Sequence, residues 1–233
     1  MHIGLIGGIG VAATVVYYQR LSSAMAERGK PLQLTIVNAD VQELIRNSLA
    51  DERDAQAQVY AGLIKRLKAA GADCAAITSL GGHFCYDETV PLSPLPIVSA
   101  VKPLDDYFAN QGLKTVGLLG TRVVMQTKLY GQLKKTNAVA LETEIESLGQ
   151  TYQDMAVSGF CTEHDREVFL RAGRQMIDVL GADAIVLAGT DLNLAFDQQD
   201  PGYTVVDALD VHVDVLARLA SDEMTLEEAG ADR

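Results

Sequence analysis

The stretch ITSLGGHFCYDE, Ile77–Glu88, sets Ser79 and His83 where an apolar run gives way to a polar, glycine-rich turn. The hydroxyls of Thr78 and Ser79 and the amides around Gly81 are donors suited to a carboxylate, aided by the positive end of a following helix. The same residues also suit a plain helix start, with Ser79 as the cap and His83 solvated in the first turn. A second stretch, IVLAGTDLNLAFD, Ile185–Asp197, has the same shape with Gly189 at the matching point. There Thr190 can donate to a carboxylate, and Asp191 suits either general acid/base work or a cap. Thr121, in GTRVV, is another threonine at a helix start, and His212, in VVDALDVHVDVL, either turns toward these strand ends or is structural.

The N-terminal GGIGVAAT brings a third group of donors. Gly8, Ile9, Gly10, Val11, Ala12 and Ala13 fit the dinucleotide pattern G-x-G-x-x-A after a strand. The acidic residue that should follow about 20 positions later is missing, and Asp40 stands farther on, after the next strand. A tight strand-to-helix turn, or one whose amides hold a small carboxylate, is the better reading, and no cofactor is expected. Ser79 is not framed as G-x-S-x-G, which argues against a serine hydrolase. Cys74, Cys85 and Cys161 lack C-x-x-C spacing and do not pair with His2, His83, His164 or His212 at ligand-like intervals, so no metal site is expected.

Short apolar runs alternate with longer amphipathic segments, the pattern of a parallel α/β protein. The reading predicts strands at His2–Gly7, Gln33–Asn38, Cys74–Ser79, Thr115–Leu119, Ala184–Ala188 and Thr204–Val206. Helices are predicted at Val11–Arg28, Asp51–Ala70, Arg122–Lys135, Asp165–Leu180 and Ala208–Ala220. HIGLIGG at His2 resembles TVGLLGT at Thr115, and GADCAAITS at Gly71 resembles GADAIVLAG at Gly181. The two separations, 113 and 110 residues, are nearly equal. Two matches in one order predict a duplication: two similar parallel-sheet α/β domains related by a pseudo-twofold, with a cleft between them. The first would hold residues 1–100 plus about 207–233, the second residues 101–206. Ligands of open α/β sheets bind at the carboxyl ends of strands, where Gly7–Val11, Ser79–His83, Thr121 and Gly189–Asp191 are expected to fall. The acidic ending SDEMTLEEAGADR reads as a solvated helix end or a frayed tail.

A net charge of −12 disfavours nucleic acid and anionic membranes as partners. With 48% hydrophobic residues, no membrane-length apolar run and no secretory leader pattern, a soluble cytoplasmic protein is expected.

Four segments in order resemble the aspartate/glutamate racemase superfamily, specifically its aspartate-racemase branch. IGLIGGIGVAATVVYYQRL is similar to its G-G-M-G-P-x-A-T opening, with Ile9 and Val11 in place of Met and Pro. HFCYDE is similar to H-Y-x-Y-D-E, LLGTRVVM to L-G-T-R-x-T-M, and VVDALDVHVDVL to the closing D-T-x-x-I-H-A. The resemblance spans about Ile3 to Ala220. It implies a cofactor-independent, homodimeric enzyme in which one cysteine removes an α-proton and a second returns a proton on the opposite face. The family's first cysteine lies four residues before the histidine, where this chain has Ser79 before His83. The second lies in G-C-T-E, where this chain has Gly189.

Two functions follow. In the first, an enzyme acts on a small carboxylate or amino acid with other groups. Gly8–Gly10 amides, Thr78, Ser79, Gly81, Thr121, Gly189, Thr190 and His212 would bind, and Asp191 or His83 would carry the proton, with Ser79 activated by His83. Gly189 would leave one face open, which suits a lyase or one-sided isomerase. In the second, the protein senses a small carboxylate without turnover. Cys74, in a buried strand, and Cys85, turned away, are not expected to replace the thiols, and Cys161 is expected to be inert.

Overall fold

The computed structural model describes residues 1–8 and 10–233, without the Val11 side chain. The chain forms two compact units, Met1–Ala100 with Asp210–Arg233, and Val101–Leu209.

In the first unit, β1 (His2–Gly7), α1 (Val11–Glu27), β2 (Gln33–Asn38), α2 (Val41–Leu49), α3 (Arg53–Ala69), β3 (Cys74–Ile77), α4 (Tyr86–Thr89) and β4 (Ile97–Val98) follow in order. The second contains α5 (Lys102–Asn110), β5 (Thr115–Gly120), α6 (Arg122–Gln126), β6 (Asn137–Val139), α7 (Ile145–Ser158), α8 (Glu163–Leu180), β7 (Ala184–Ala188), α9 (Asn193–Phe196) and β8 (Val205–Asp207). The last helix, α10 (Ala208–Ala220), leads the chain back into the first unit.

Each unit has a four-stranded parallel sheet, in the orders β2-β1-β3-β4 and β6-β5-β7-β8. The central strands are apolar after their first residues, as parallel sheets packed between helices require; β3 and β7 are buried at every residue. In α3 the residues at three- and four-residue steps, Tyr60, Leu63, Ile64 and Leu67, are the buried ones.

The repeat seen in the sequence is also a repeat of register. Ile3 pairs with Cys74 in the first unit, and the equivalent Val116 pairs with Ala184 in the second. The shared Gly-Ala-Asp has one mechanical role in both places. Gly71 and Gly181 turn the chain at φ +90° and +67°, a conformation glycine adopts without steric cost. The aspartate then accepts the first amides of the neighbouring strand. Asp73 takes that of His2 at 2.7 Å, and Asp183 those of Lys114 and Thr115 at 2.8 and 2.9 Å.

Two expectations are corrected. The helix predicted over Arg122–Lys135 stops at Gln126. Lys128, Leu129, Tyr130 and Gly131 all take positive φ, and this left-handed turn buries Leu129. The tail is not frayed: Asp232 forms a two-bond antiparallel bridge with Ile97 (2.9 and 3.0 Å), and its carboxylate accepts from the Tyr86 hydroxyl at 2.9 Å. Asp40 caps α2, accepting the amides of Gln42 and Glu43 at 2.8 and 3.4 Å, so it is spent on the helix and not on a ribose.

Candidate functional site

The strand ends of the first unit are rich in donors by residue type, yet most of these donors bind one another. Gly8 has φ +82°, and a β-carbon there would lie 2.2 Å from Asn38 Oδ1, so only glycine fits. Its amide donates to Thr14 Oγ1 at 2.9 Å, and that hydroxyl donates to the Gly10 carbonyl at 3.0 Å. The Gly8 amide is therefore not offered to a carboxylate as the sequence reading expected. Gly10 begins α1 without a side-chain cap, and Ile9 lies outside the described residues. Thr78 is fully buried, and its hydroxyl and amide both donate to the Ile6 carbonyl, at 2.9 and 3.2 Å.

Ser79 is buried at the opening of a 3-10 turn over Gly81–Cys85, not an α-helix. Its Oγ accepts the Gly82 amide at 3.1 Å, and no acceptor for its own proton is found among the described residues. Gly81 is partly exposed at the head of the turn. His83 is neither solvated nor aimed at the Ser79 hydroxyl. The Ala100 amide donates to Nε2 at 3.1 Å, which places the proton on Nδ1, and Nδ1–H donates to the Ser79 carbonyl at 2.7 Å. The ring stacks on Tyr86 with centroids 5.2 Å apart. Burial lowers its pKa to about 4, against a smaller opposing effect of the Ser79 bond. With both nitrogens engaged, the ring braces the loop and cannot take the Ser79 proton as expected.

His212 is likewise internal. Nδ1 meets the Tyr17 hydroxyl at 2.8 Å, while Nε2 makes no bond of hydrogen-bond geometry. Burial first, then the neighbouring His83 charge, lowers its pKa to about 3, with the Val98 backbone acting the other way. The three cysteines are free and buried. Burial pushes the thiols of Cys74 and Cys85 up to about 12 and raises that of Cys161. None is poised as a thiolate.

In the second unit the strand ends are packed more closely still. A β-carbon on Gly120 would lie 2.7 Å from the Ala188 carbonyl. Thr121 caps α6, accepting the Val124 amide at 3.4 Å. Arg122 lies along α7, with Nε on Glu146 at 3.0 Å and Nη1 and Nη2 on Gln153 and Gln150 at 3.1 and 2.6 Å.

Gly189 does not leave an open face. A β-carbon there would meet Tyr152 Cε2 at 2.4 Å and Cζ at 2.8 Å, so the ring from α7 fills the place of a side chain. Tyr152 donates to Asp191 Oδ2 at 3.2 Å, and the Asp191 amide approaches the same hydroxyl at 3.5 Å. Burial, then the Asp191 charge, raises the phenol pKa well above 10. Thr190 and Asp191 are 1% and 2% exposed. With its amide nitrogen turned inward, Asn193 donates to the carbonyls of Thr190 and Asp191 at 3.0 and 3.3 Å. Tyr152 and Asn193 escaped the sequence reading. Asn193 follows Asp191 as closely as a capping residue does and was legible in principle, whereas Tyr152 belongs to a helix the reading passed over.

Among the described residues, no group of three His, Cys, Asp or Glu side chains could hold a metal ion. Among the same residues, no helix is long and apolar enough to cross a membrane.

A model of the Asp/Glu/hydantoin racemase family matches residues 6–216. The chain belongs to this family. Among solved structures it is similar to a Yersinia pestis protein described as an Asp/Glu racemase, at 24% identity and a TM-score of 0.79, covering 94% of this chain and 99% of that one. An aspartate racemase homologue of Pyrococcus horikoshii gives 24% identity and 0.75 over 94% and 99% of the two chains. The aspartate racemase of Picrophilus torridus gives 20% and 0.76 over 99% and 95%. At these identities the likeness is one of fold. Within the racemase family, the strand ends described here carry a serine, a braced histidine and a phenol–carboxylate pair.

Proposed function

We propose that the protein is a cofactor-independent racemase-family enzyme that handles the proton of a small carboxylate or amino acid with one carboxylate base, Asp191, in place of two thiols. The observation that carries this reading is the Tyr152–Asp191 contact: a buried carboxylate at the end of β7 with a phenol on one of its two oxygens. A carboxylate held in a fixed orientation at a strand end is suited to taking a proton. The resemblance aligns Ser79 and Gly189 with the family's two cysteines. A serine hydroxyl needs an adjacent base, and His83 is engaged elsewhere. A single base removes and returns a proton on one face, so the chemistry it supports is one-sided isomerisation, exchange or elimination and not inversion.

The test is deuterium uptake at the α-carbon of aspartate, glutamate and other small carboxylates in heavy water, with elimination products followed in the same samples. Exchange or elimination that Asp191→Asn reduces at least a hundredfold is the expected result. Activity that survives Asp191→Asn, or that depends on one of the cysteines, would remove the assignment.

A second reading, a small-carboxylate sensor without turnover, draws on the first unit. There His83 has both nitrogens engaged and leaves Ser79 without a base, while the Ser79 hydroxyl keeps its proton. A thermal-shift hit whose ligand is recovered unchanged after days of incubation would favour the sensor over the enzyme.

A further inference from the structure

The glycine at 189 and the tyrosine at 152 lie 37 residues apart in sequence and compete for one volume. The backbone at Gly189 has φ −124° and ψ 116°, which any residue adopts, so conformation gives no reason for glycine there. The reason is the ring: its Cε2 and Cζ fall 2.4 and 2.8 Å from where a β-carbon would stand. The hydroxyl of that ring reaches past Gly189 to Asp191 Oδ2 at 3.2 Å. One side chain therefore removes the space for a group on residue 189 and anchors the next ionisable group along the loop.

We infer that Tyr152 is the positioning residue of this strand end: its ring excludes any side chain at 189, and its hydroxyl holds Asp191 by Oδ2. The inference deepens the single-base reading and rests on it for the ligand. Its physical content, the pairing of 152 with 189 and with 191, stands apart from turnover. It follows that returning a thiol to position 189 requires a smaller residue at 152, so Gly189→Cys alone cannot rebuild a second acid–base group.

The test has two arms, neither of which measures catalysis. The first is a thermal double-mutant cycle. Gly189→Ala is expected to lower Tm by about 5 °C in the presence of Tyr152. In the Tyr152→Ala background the same change should cost less than half as much, the remainder arising from Gly120 Cα at 2.9 Å. Equal losses in both backgrounds would overturn the steric pairing.

The second arm keeps the ring and removes only the hydroxyl, so it does not depend on the first set of variants folding. In protein with carboxyl-labelled aspartate, the carbon resonance lost in Asp191→Asn identifies Asp191. Tyr152→Phe should move that resonance, because the hydroxyl 3.2 Å from Oδ2 is gone while the ring stays. A packing role alone would leave the resonance in place, and an unmoved resonance would overturn the inference. If both arms succeed while Asp191→Asn keeps full turnover, Asp191 fails as the base and the positioning by Tyr152 stands.

Discussion

At the scale of single residues, donors and acceptors count by where their partners are and not by type. His83 shows the difference. A histidine four residues after a serine at a strand end suggests a base beside a nucleophile. Its Nδ1 instead holds the Ser79 carbonyl and its Nε2 receives the Ala100 amide. Removing the ring strands two buried backbone groups and leaves a cavity under Tyr86. His83→Ala should thus cost about 3 kcal/mol of stability, measured by urea unfolding. A loss below about 1 kcal/mol would show that the brace is replaceable. That Ser79 and Gly189 each stand just past a buried strand was legible, because residue type and order along the chain carry it. The Gly8 amide and Thr78 hydroxyl were misjudged for the same reason His83 was: composition shows a donor, and only geometry shows its acceptor. Tyr152 left no local trace, because its bearing on Gly189 exists only once α7 packs against β5 and the turn that follows β7.

At the scale of elements, the strands with strong continuous apolar runs, β1, β2 and β7, were legible to the residue, and α10 likewise by its helical period. The edge strands β4 and β6, two and three residues long, are too short to show a period. The C-terminal segment was misread because its acidic, polar composition looks solvated, yet two backbone bonds and one hydroxyl decide its place. It pairs with the edge strand β4 at Ile97, and Tyr86, whose hydroxyl donates to its carboxylate, stacks on His83. The tail is thus linked through two rings to the Ser79 turn. Deleting residues 225–233 removes both Ile97 backbone bonds and the Tyr86–Asp232 bond. The expected loss is about 2–3 kcal/mol, with the Ile97 amide exchanging its hydrogen much faster. Unchanged exchange at Ile97 would mean that the strap does not hold in solution.

At the scale of the whole molecule, two buried neutral histidines make stability depend on pH in a defined direction. In the unfolded chain both protonate near 6.5; in the folded chain burial holds His83 at about 4 and His212 at about 3. Above pH 6.5 neither form binds the extra protons, and the two contribute no slope. As pH falls below 6.5 the unfolded chain takes up protons that the folded chain refuses, and stability drops. His83 ceases to contribute below about 4 and His212 below about 3. Each contributes about 1.4 kcal/mol per pH unit within its window, so together they give on the order of 2–3 kcal/mol per unit between pH 6 and 4. The net charge of −12 works the other way, since protonating surface carboxylates relieves repulsion. At about 0.15 M salt that repulsion is screened beyond roughly 8 Å, which leaves the buried pair dominant. His212→Gln keeps a polar group opposite Tyr17 and cannot gain charge. Urea midpoints for this variant should decline with acid at roughly half the parent slope. A slope equal to the parent's would place the acid sensitivity in groups other than these rings.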